Sequence, residues 1–310
     1  MSDWLTVERG DAPLVLAFPH TGTDIPAAIE PRFVSAERAR KDTDWWVDRL
    51  YAFAADLGAT TVRTAISRSV IDVNRDPSGA SLYPGQATTD LCPTTTFDGE
   101  PLYKAGDEPD GAEIEERKAR WFAPYHHALA AEIARLHQAH GRVVLYDCHS
   151  IRSVIPRLFD GVLPHFNIGT NDGTTCSPVL QARVEAACRS PSSSSSCFPG
   201  EGRGPVGKAE VMVRSASQLQ PSQLDPGLRR GGEEWTVVTN GRFKGGWTTR
   251  HYGDPARGVH AIQMELACRG YLDEPVGADP DPWPVPFDPA YARPMIDVLT
   301  RVVQACLEPL

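Results

Sequence analysis

The sequence lacks the cysteine pattern and the long apolar runs that mark two large classes of protein. Its seven cysteines form no CxxC pair and follow no regular spacing, so we interpret them as reduced thiols of a cytoplasmic protein rather than as a disulfide framework. No apolar run approaches the roughly 20 residues of a membrane-spanning helix. The first residues show neither a basic start nor an apolar stretch, so we expect no export signal.

The chain also lacks an excess of basic residues. Its formal net charge is -9, which argues against nucleic acid or an anionic membrane as the main partner. A hydrophobic content of 41% over 310 residues is ordinary for a globular protein and allows a large core. We therefore expect a soluble cytoplasmic protein. The sequence leaves the oligomeric state open, a homo-oligomer included.

Strand and helix patterns alternate along most of the chain. Strands are predicted over residues 14–18, 60–66, 70–73, 143–146, 162–168, 235–239 and 259–266, and helices over 35–57, 113–140, 178–188 and 290–307. Ser35 is the expected N-cap of the first helix. Residues 76–110 are rich in Pro, Gly, Thr and Asp, which predicts long loops. This alternation predicts a single α/β domain over residues 1–310, with a mixed, mostly parallel sheet flanked by helices.

One segment departs from this alternation. Residues 190–234 contain SPSSSSS, EGRGPVG and QLQPSQLDPGLRRGGEE, with few large apolar side chains and no sustained period. Such a composition cannot bury enough apolar surface to form a core. We expect a disordered surface insertion that interrupts the domain, which a fold tolerates because loop-closure entropy grows slowly with length.

Two histidines follow apolar strands at the point where each strand ends. His20 comes after Leu14–Phe18, and His149 comes after the apolar run that starts at Val143. Loops at the carboxyl ends of strands in open α/β sheets are where chemistry collects. We therefore predict a metal site shared by His20 and His149, of the hydrolytic zinc type with one carboxylate ligand and an open water position. The alternatives are His251 and the adjacent pair His126 and His127, a poor chelate on a helix.

Several acidic residues are candidates for the carboxylate ligand. Asp44 is preferred, and Asp42 and Asp24 stay open as alternatives. Acids early in a helix are also explained by favourable interaction with the helix dipole, without any metal. Asp147 is adjacent to the His149 motif, but we expect its side chain to point to the opposite side of the strand.

Glu265 lies inside the otherwise apolar segment 259–266. Burial of a carboxyl group raises its pKa, which suits a general base. The alternative is an edge position that faces solvent.

Several arginines lie in the strand-end loops. They are Arg75, which follows Asn74 at the end of a predicted strand, Arg152 after the His149 motif, and Arg242 and Arg250 in a glycine-rich loop. Arginine binds carboxylates through two parallel hydrogen bonds. We expect these residues to bind a small anionic substrate, although each alone is as well explained by a surface ion pair.

Seven segments in consistent order resemble the N-formylglutamate amidohydrolase family. They are PHTGTDIP from Pro19, DTDWWVDRLY from Asp42, SRSVIDVNRDP from Ser67, LYPGQATTDLCPTTTFDGEPLY from Leu82, YDCHSIRSVIPRLFDGVLPHFNIGTNDG from Tyr146, NGRFKGGWTTRHYGDP from Asn240 and GVHAIQMELACRGY from Gly258. The family is similar to the zinc carboxypeptidases and aspartoacylases. The resemblance implies a zinc-carboxypeptidase-like fold and a bacterial deformylase that hydrolyses N-formyl-L-glutamate, a linear amide, to L-glutamate and formate, as the last step of a histidine degradation route.

The resemblance also implies roles for individual residues. His20, His149 and an acidic residue, Asp44 in first place, would hold Zn²⁺ or another divalent ion, and Glu265 would activate the water. Asn74 and Arg75 fall where related enzymes hold a substrate carboxylate. Position 23 is threonine, where carboxypeptidases carry the glutamate of a His-x-x-Glu pair. The alternative functions are a zinc amidohydrolase for another N-acyl amino acid and an inactive binding protein disrupted by the insertion.

Overall fold

The structure, a computed structural model, describes residues 4–81, 85, 87–189, 234–275 and 283–309. Within these residues, seven strands form one sheet in the order β1-β3-β2-β4-β7-β5-β6. The strands are β1 (Leu5–Glu8), β2 (Leu14–Phe18), β3 (Thr60–Thr64), β4 (Val143–Ile151), β5 (Phe166–Gly169), β6 (Val237–Thr239) and β7 (Val259–Ala267). The insertion expected at 190–234 lies outside the described residues except for Glu234, so it stays a prediction.

Most neighbouring strands of this sheet run parallel. β2 pairs in parallel with β3 and β4, β4 with β7, and β5 with β6. Only β1 against β3 and β5 against β7 are antiparallel. The predicted α/β class with a mixed, mostly parallel sheet is confirmed.

Helices cover both faces of the sheet. They are α1 (Ala36–Arg40), α2 (Val47–Leu50), α3 (Gly111–Arg117), α4 (Ala123–His140), α5 (Pro178–Arg189), α6 (Trp247–Tyr252) and α7 (Pro289–Leu307). A π-helical turn over Lys118–Phe122 joins α3 to α4, so the long helix predicted over 113–140 is present with one irregular turn. In the described part of the chain, no helix has the length and apolar character needed to cross a bilayer.

Alternate residues of the central strand β4 face two different cores. Val144 and Tyr146 pack with residues of α5 and α7, whereas Val143 and Leu145 pack under α4. Because side chains alternate along a strand, Asp147 and His149 continue the second of these faces. This face therefore changes from apolar to polar where the strand approaches its carboxyl end, and the polar end holds the site described below.

The helix predicted over 35–57 is wrong as one continuous element. Ser35 caps α1 as expected, since its hydroxyl accepts a hydrogen bond from Arg38 N at 3.1 Å. The helix then stops at Arg40, and Trp46 takes a left-handed backbone with φ 63°, which is costly for a bulky residue. Asp44 N donates to His20 O at 3.0 Å. This tertiary hydrogen bond holds the break between α1 and α2 against the end of β2.

The strand predicted over 70–73 is also wrong. The carbonyl of Val70 accepts from Arg117 Nη1 at 2.8 Å, and the carbonyl of Val73 accepts from His126 Nε2 at 2.7 Å. Because side chains satisfy these backbone groups, the segment needs no neighbouring strand. Its irregular path places Asp72 beside the end of the sheet.

Candidate metal centre and active-site cleft

Three buried side chains converge near the carboxyl ends of β2 and β4. The Nδ1 atoms of His20 and His149 lie 3.1 Å apart. Asp44 Oδ2 lies 3.5 Å from His20 Nδ1 and 3.1 Å from His149 Nδ1. Together they form a buried group that could hold a metal ion. The strand-end histidines and Asp44, the preferred acid, are thus brought together as expected.

The donor atoms fit a divalent cation. Ligand atoms about 2.0–2.1 Å from a tetrahedral zinc ion lie about 3.3 Å from one another, and the separations here are 3.1, 3.1 and 3.5 Å. Two imidazole nitrogens that face each other can share only one hydrogen. A cation, in contrast, would accept the lone pairs of all three atoms.

Each of these histidines contacts a second carboxylate through its other ring nitrogen. His20 Nε2 lies 2.6 Å from Asp72 Oδ1, and His149 Nε2 lies 3.0 Å from Asp147 Oδ2. A carboxylate in this position fixes the tautomer and the orientation of a ligand histidine. Both rings therefore direct Nδ1 toward Asp44.

The expectation that Asp147 points away from the site is wrong. Residues two positions apart in a strand share a face, so Asp147 lies on the His149 side of β4. Asn74 Nδ2 donates to Asp147 Oδ2 at 3.2 Å and lies 3.1 Å from His149 Nε2. Asp72 is a further site residue that the motif reasoning misses, although its signal, an acid inside the apolar run 70–73, resembles that of Glu265.

Arg68, also missed from the sequence, bridges the two aspartates on the His20 side. Its Nη1 donates to Asp44 Oδ1 at 3.3 Å and its Nη2 to Asp72 Oδ2 at 2.8 Å. Burial alone would raise the pKa of both carboxyl groups, but His20 and Arg68 outweigh burial and hold each pKa below its usual range. For His149, burial lowers the pKa, whereas the hydrogen-bonded Asp147 and Asp44 raise it well above the usual value. The negative charges of Asp44 and Asp72 make the cluster attractive to a cation.

Glu265 stands beside the three converging side chains. It pairs in register with His149 across β7 and β4, and both line the same cleft. Burial raises the pKa of Glu265 to about 8, with His149 opposing the shift and Asp44 adding to it. Gln263 Nε2 donates to Glu265 Oε2 at 3.1 Å, and Gly246 N donates to Gln263 Oε1 at 2.6 Å. A carboxyl group with a pKa near neutrality can both accept and release a proton.

Basic and apolar side chains form the rest of the cleft lining. Besides Arg68, its arginines are Arg75 and Arg242, and its apolar residues include Phe97, Ile151, Leu158 and Phe243. Arg75 donates to the carbonyl and the hydroxyl of Thr89, both at 3.0 Å. Arg242 donates to the carbonyls of Leu158 at 2.7 Å and Ala87 at 2.9 Å.

Two of the predicted substrate-binding arginines do not line this cleft. Arg152 Nη2 contacts Asp42 Oδ1 at 3.1 Å and Asp98 Oδ2 at 2.7 Å. Arg250 lies on α6 rather than in the expected loop, and its Nε donates to Gly245 O at 2.9 Å. A substrate-binding role for Arg152 and Arg250 therefore stays a prediction.

The other ligand candidates lie apart from the three converging side chains. Asp42 accepts from Phe97 N at 2.7 Å, and Asp24 and His127 are exposed. His126 donates to a backbone carbonyl, and His251 stacks on Trp247 with ring centroids 4.1 Å apart. Of the three acids considered from the sequence, Asp44 is the one that reaches both strand-end histidines.

A sequence model described as N-formylglutamate amidohydrolase matches residues 12–198 and 208–272. The chain belongs to the N-formylglutamate amidohydrolase family. The enzyme class expected from the motifs, an amidohydrolase, is confirmed with it.

Individual relatives agree with this family. The N-formylglutamate deformylase of Pseudomonas aeruginosa is 39% identical over 310 residues, which cover 100% of this chain and 97% of that protein. The Pseudomonas putida protein of the same name is 38% identical over 307 residues, covering 99% and 97%.

Solved structures match the fold over nearly the full length. A crystal structure of N-formylglutamate amidohydrolase from Ralstonia eutropha JMP134 superposes with a TM-score of 0.65 at 24% identity, covering 98% of this chain and 97% of that one. An Agrobacterium tumefaciens gene product gives a TM-score of 0.60 at 18% identity, covering 98% and 94%. At these identities the superpositions establish the fold alone.

Proposed function

We propose that this chain hydrolyses N-formyl-L-glutamate to L-glutamate and formate, with a divalent metal ion, zinc or another, held by His20, Asp44 and His149. The observation that carries the proposal is the meeting of two Nδ1 atoms and one carboxylate oxygen within 3.1–3.5 Å, next to the buried Glu265. Relatives named N-formylglutamate deformylase, 39% and 38% identical over the full chain, support the choice of substrate.

The hydrolysis needs a group that moves one proton. When bound, a divalent ion supplies Lewis-acid polarisation of the formyl group and lowers the pKa of a water molecule. Glu265 accepts the proton of the attacking water at a carboxylate oxygen as the new C–O bond forms. It then passes this proton to the glutamate nitrogen as the C–N bond breaks, which releases formate. A pKa near neutrality suits both transfers.

Arginines supply the positive charge that the substrate requires. Arg68 contacts the ligand Asp44 and lines the cleft, so its guanidinium is placed to stabilise negative charge that develops on the formyl oxygen. Arg75 and Arg242 lie in the same lining and bind the two glutamate carboxylates. Asn74 also lines the cleft, so its predicted substrate-binding role stays a prediction, and its amide contacts Asp147 and His149.

Formate release by the purified full-length chain tests this function. Rates on N-formyl-, N-acetyl- and N-succinyl-L-glutamate separate a deformylase from an amidohydrolase for another N-acyl amino acid. Metal content measured on the same sample identifies the ion. Metal and substrate binding without turnover would instead favour an inactive binding protein. The cytoplasmic location and the place in histidine degradation stay predictions.

The assignment of the base is tested with a matched pair of variants. Glu265→Gln should lower kcat by about 10²- to 10⁴-fold and leave the metal content unchanged. Glu274 is a second buried glutamate whose pKa is raised by burial, and it binds Ser153 outside the cleft. Glu274→Gln should keep near-normal turnover. Near-normal turnover by Glu265→Gln would show that another group is the base.

A further inference from the structure

The side chain of Gln263 joins the backbone of Gly246 to the carboxyl group of Glu265. Gly246 N donates to Gln263 Oε1 at 2.6 Å, and Gln263 Nε2 donates to Glu265 Oε2 at 3.1 Å. A backbone N–H can donate only to the oxygen of an amide. This contact therefore orients the amide so that its NH₂ group faces the glutamate.

Three features make this contact specific and rigid. Gln263 is only 4% exposed, so water does not compete easily for its amide. It lies two residues before Glu265 on β7, and residues two apart in a strand share a face. A Cβ added to Gly246 would lie 2.4 Å from Asn74 Nδ2, so the backbone that anchors the amide is itself closely packed against the site.

We propose that Gln263 is a positioning residue for the reaction: its amide, anchored by Gly246, holds one carboxylate oxygen of Glu265 and leaves the other directed at the water and the glutamate nitrogen. The inference rests on the proposed function, because it presumes that Glu265 moves the proton. It assigns a role to a side chain that touches the base rather than the metal ligands. A general base that is held in one orientation keeps its free carboxylate oxygen aligned with both the water and the glutamate nitrogen during the two proton transfers.

The test compares Gln263→Met with a control of the same chemistry. Gln181 on α5 also accepts from a donor, Thr170 Oγ1 at 3.0 Å, and donates to a glutamate, Glu185 Oε1 at 3.1 Å, but it lies outside the cleft lining. Loss of a hydrogen bond to a charged group should lower kcat of Gln263→Met by about 10- to 100-fold, with KM within about threefold and metal content unchanged. Gln181→Met should keep kcat within about twofold.

A double variant distinguishes positioning from a general structural role. If Gln263 acts through Glu265, then Gln263→Met should lower the residual turnover of Glu265→Gln by less than about twofold, since coupled residues are not additive. Equal losses in both backgrounds, or a change in KM alone, would overturn the inference. Gln263→Glu keeps the side-chain volume and the acceptor for Gly246 N but loses the NH₂ donor. Its kcat should fall at least as much as that of Gln263→Met. This second variant keeps the inference testable if Gln263→Met does not fold.

The two hypotheses fail in different ways. If Glu265→Gln loses turnover while both Gln263 variants keep it, only the positioning role is wrong. If Glu265→Gln itself keeps turnover, the proposed base is wrong and the positioning role falls with it.

Discussion

Asp72 Oδ1 lies 2.6 Å from Nε2 of His20, on the opposite side of the ring from Asp44 and His149. The same aspartate accepts from Arg68 Nη2 at 2.8 Å. One buried carboxylate thus both orients a proposed metal ligand and forms an ion pair with a cleft arginine. Removing its charge should affect metal binding and folding together.

Asp72→Asn should weaken metal affinity by about 10- to 100-fold. It should also lower the free energy of unfolding by about 3–5 kcal/mol, because Arg68 loses a buried partner. Competitive metal titration and urea unfolding measure the two effects. Asp76→Asn is the control, since the Asp76 side chain accepts from the nearby Ser78 and an asparagine oxygen can do the same. Unchanged metal affinity in Asp72→Asn would contradict the orienting role.

Removal of the metal should abolish turnover. Treatment with a chelator should also lower Tm, because a ligand that binds only the folded state stabilises it, and added zinc should restore both. His149→Ala should bind no stoichiometric metal, whereas His127→Ala, at an exposed position, should bind metal as the wild type does. Metal analysis of the dialysed proteins decides the point, and a full complement of metal in His149→Ala would exclude the proposed ligand set.

The pH dependence of stability should carry a signature of Glu265. Folding raises its pKa from 4.5 to about 8 in the metal-free protein. Its contribution to the free energy of unfolding is therefore complete below pH 4.5 and is lost as the pH rises toward about 8. In metal-free Glu265→Gln this loss is absent. The free energy of unfolding of the variant relative to the wild type should therefore rise by up to about 1.4 kcal/mol per pH unit over this range. Urea unfolding at several pH values measures the difference, and parallel curves would refute the buried, protonated carboxyl.

Gly246→Ala should damage the site without a change of charge. The new Cβ would lie 2.4 Å from Asn74 Nδ2, so the amide must move. We expect a loss of about 1–3 kcal/mol in the free energy of unfolding and a fall in kcat. Gly111, the first residue of α3, has no atom within 4 Å of an added Cβ. Gly111→Ala should therefore be neutral or slightly stabilising, and equal behaviour of the two variants in thermal unfolding would contradict the packing argument.

Arg75 should contribute to substrate binding more than Arg250. Arg75 lines the cleft and Arg250 does not. Arg75→Gln should lower kcat/KM for N-formyl-L-glutamate by about 10- to 100-fold, the effect of a charge-assisted hydrogen bond, while Arg250→Gln should stay within about threefold. Steady-state kinetics measure both. Comparison with N-formyl-L-glutamine, which lacks the side-chain carboxylate, shows which carboxylate Arg75 binds.

The elements predicted best from the sequence are strands and helices with a regular pattern of apolar residues, which face the core between the sheet and its covering helices. β2, α5, α7 and β7 agree with their predicted ranges to within one residue, because each buries a regular apolar pattern. Two of the errors, 35–57 and 70–73, lie where long-range hydrogen bonds replace local ones. Asp44 N bonds to His20 O, and Val73 O accepts from His126. The pattern of apolar residues within a segment gives no information about such long-range contacts.

The same division applies to the candidate site. His20, His149 and Glu265 could be found because each interrupts or ends an apolar strand. Arg68 and Gln263 could not, since their importance depends on the partners that the fold brings to them. The position of Asp147 could have been predicted, because residues two apart in a strand share a face and Asp147 lies two residues before His149.

The register of β4 and β7 has a practical consequence for redesign. His149 and Glu265 are paired across adjacent parallel strands, so the backbone ladder fixes their spacing, about 4.8 Å between neighbouring strands. The cleft arginines Arg75 and Arg242 are anchored instead to loop carbonyls. Exchange of the loops that carry these carbonyls should therefore move the cleft arginines and leave the spacing of His149 and Glu265 unchanged.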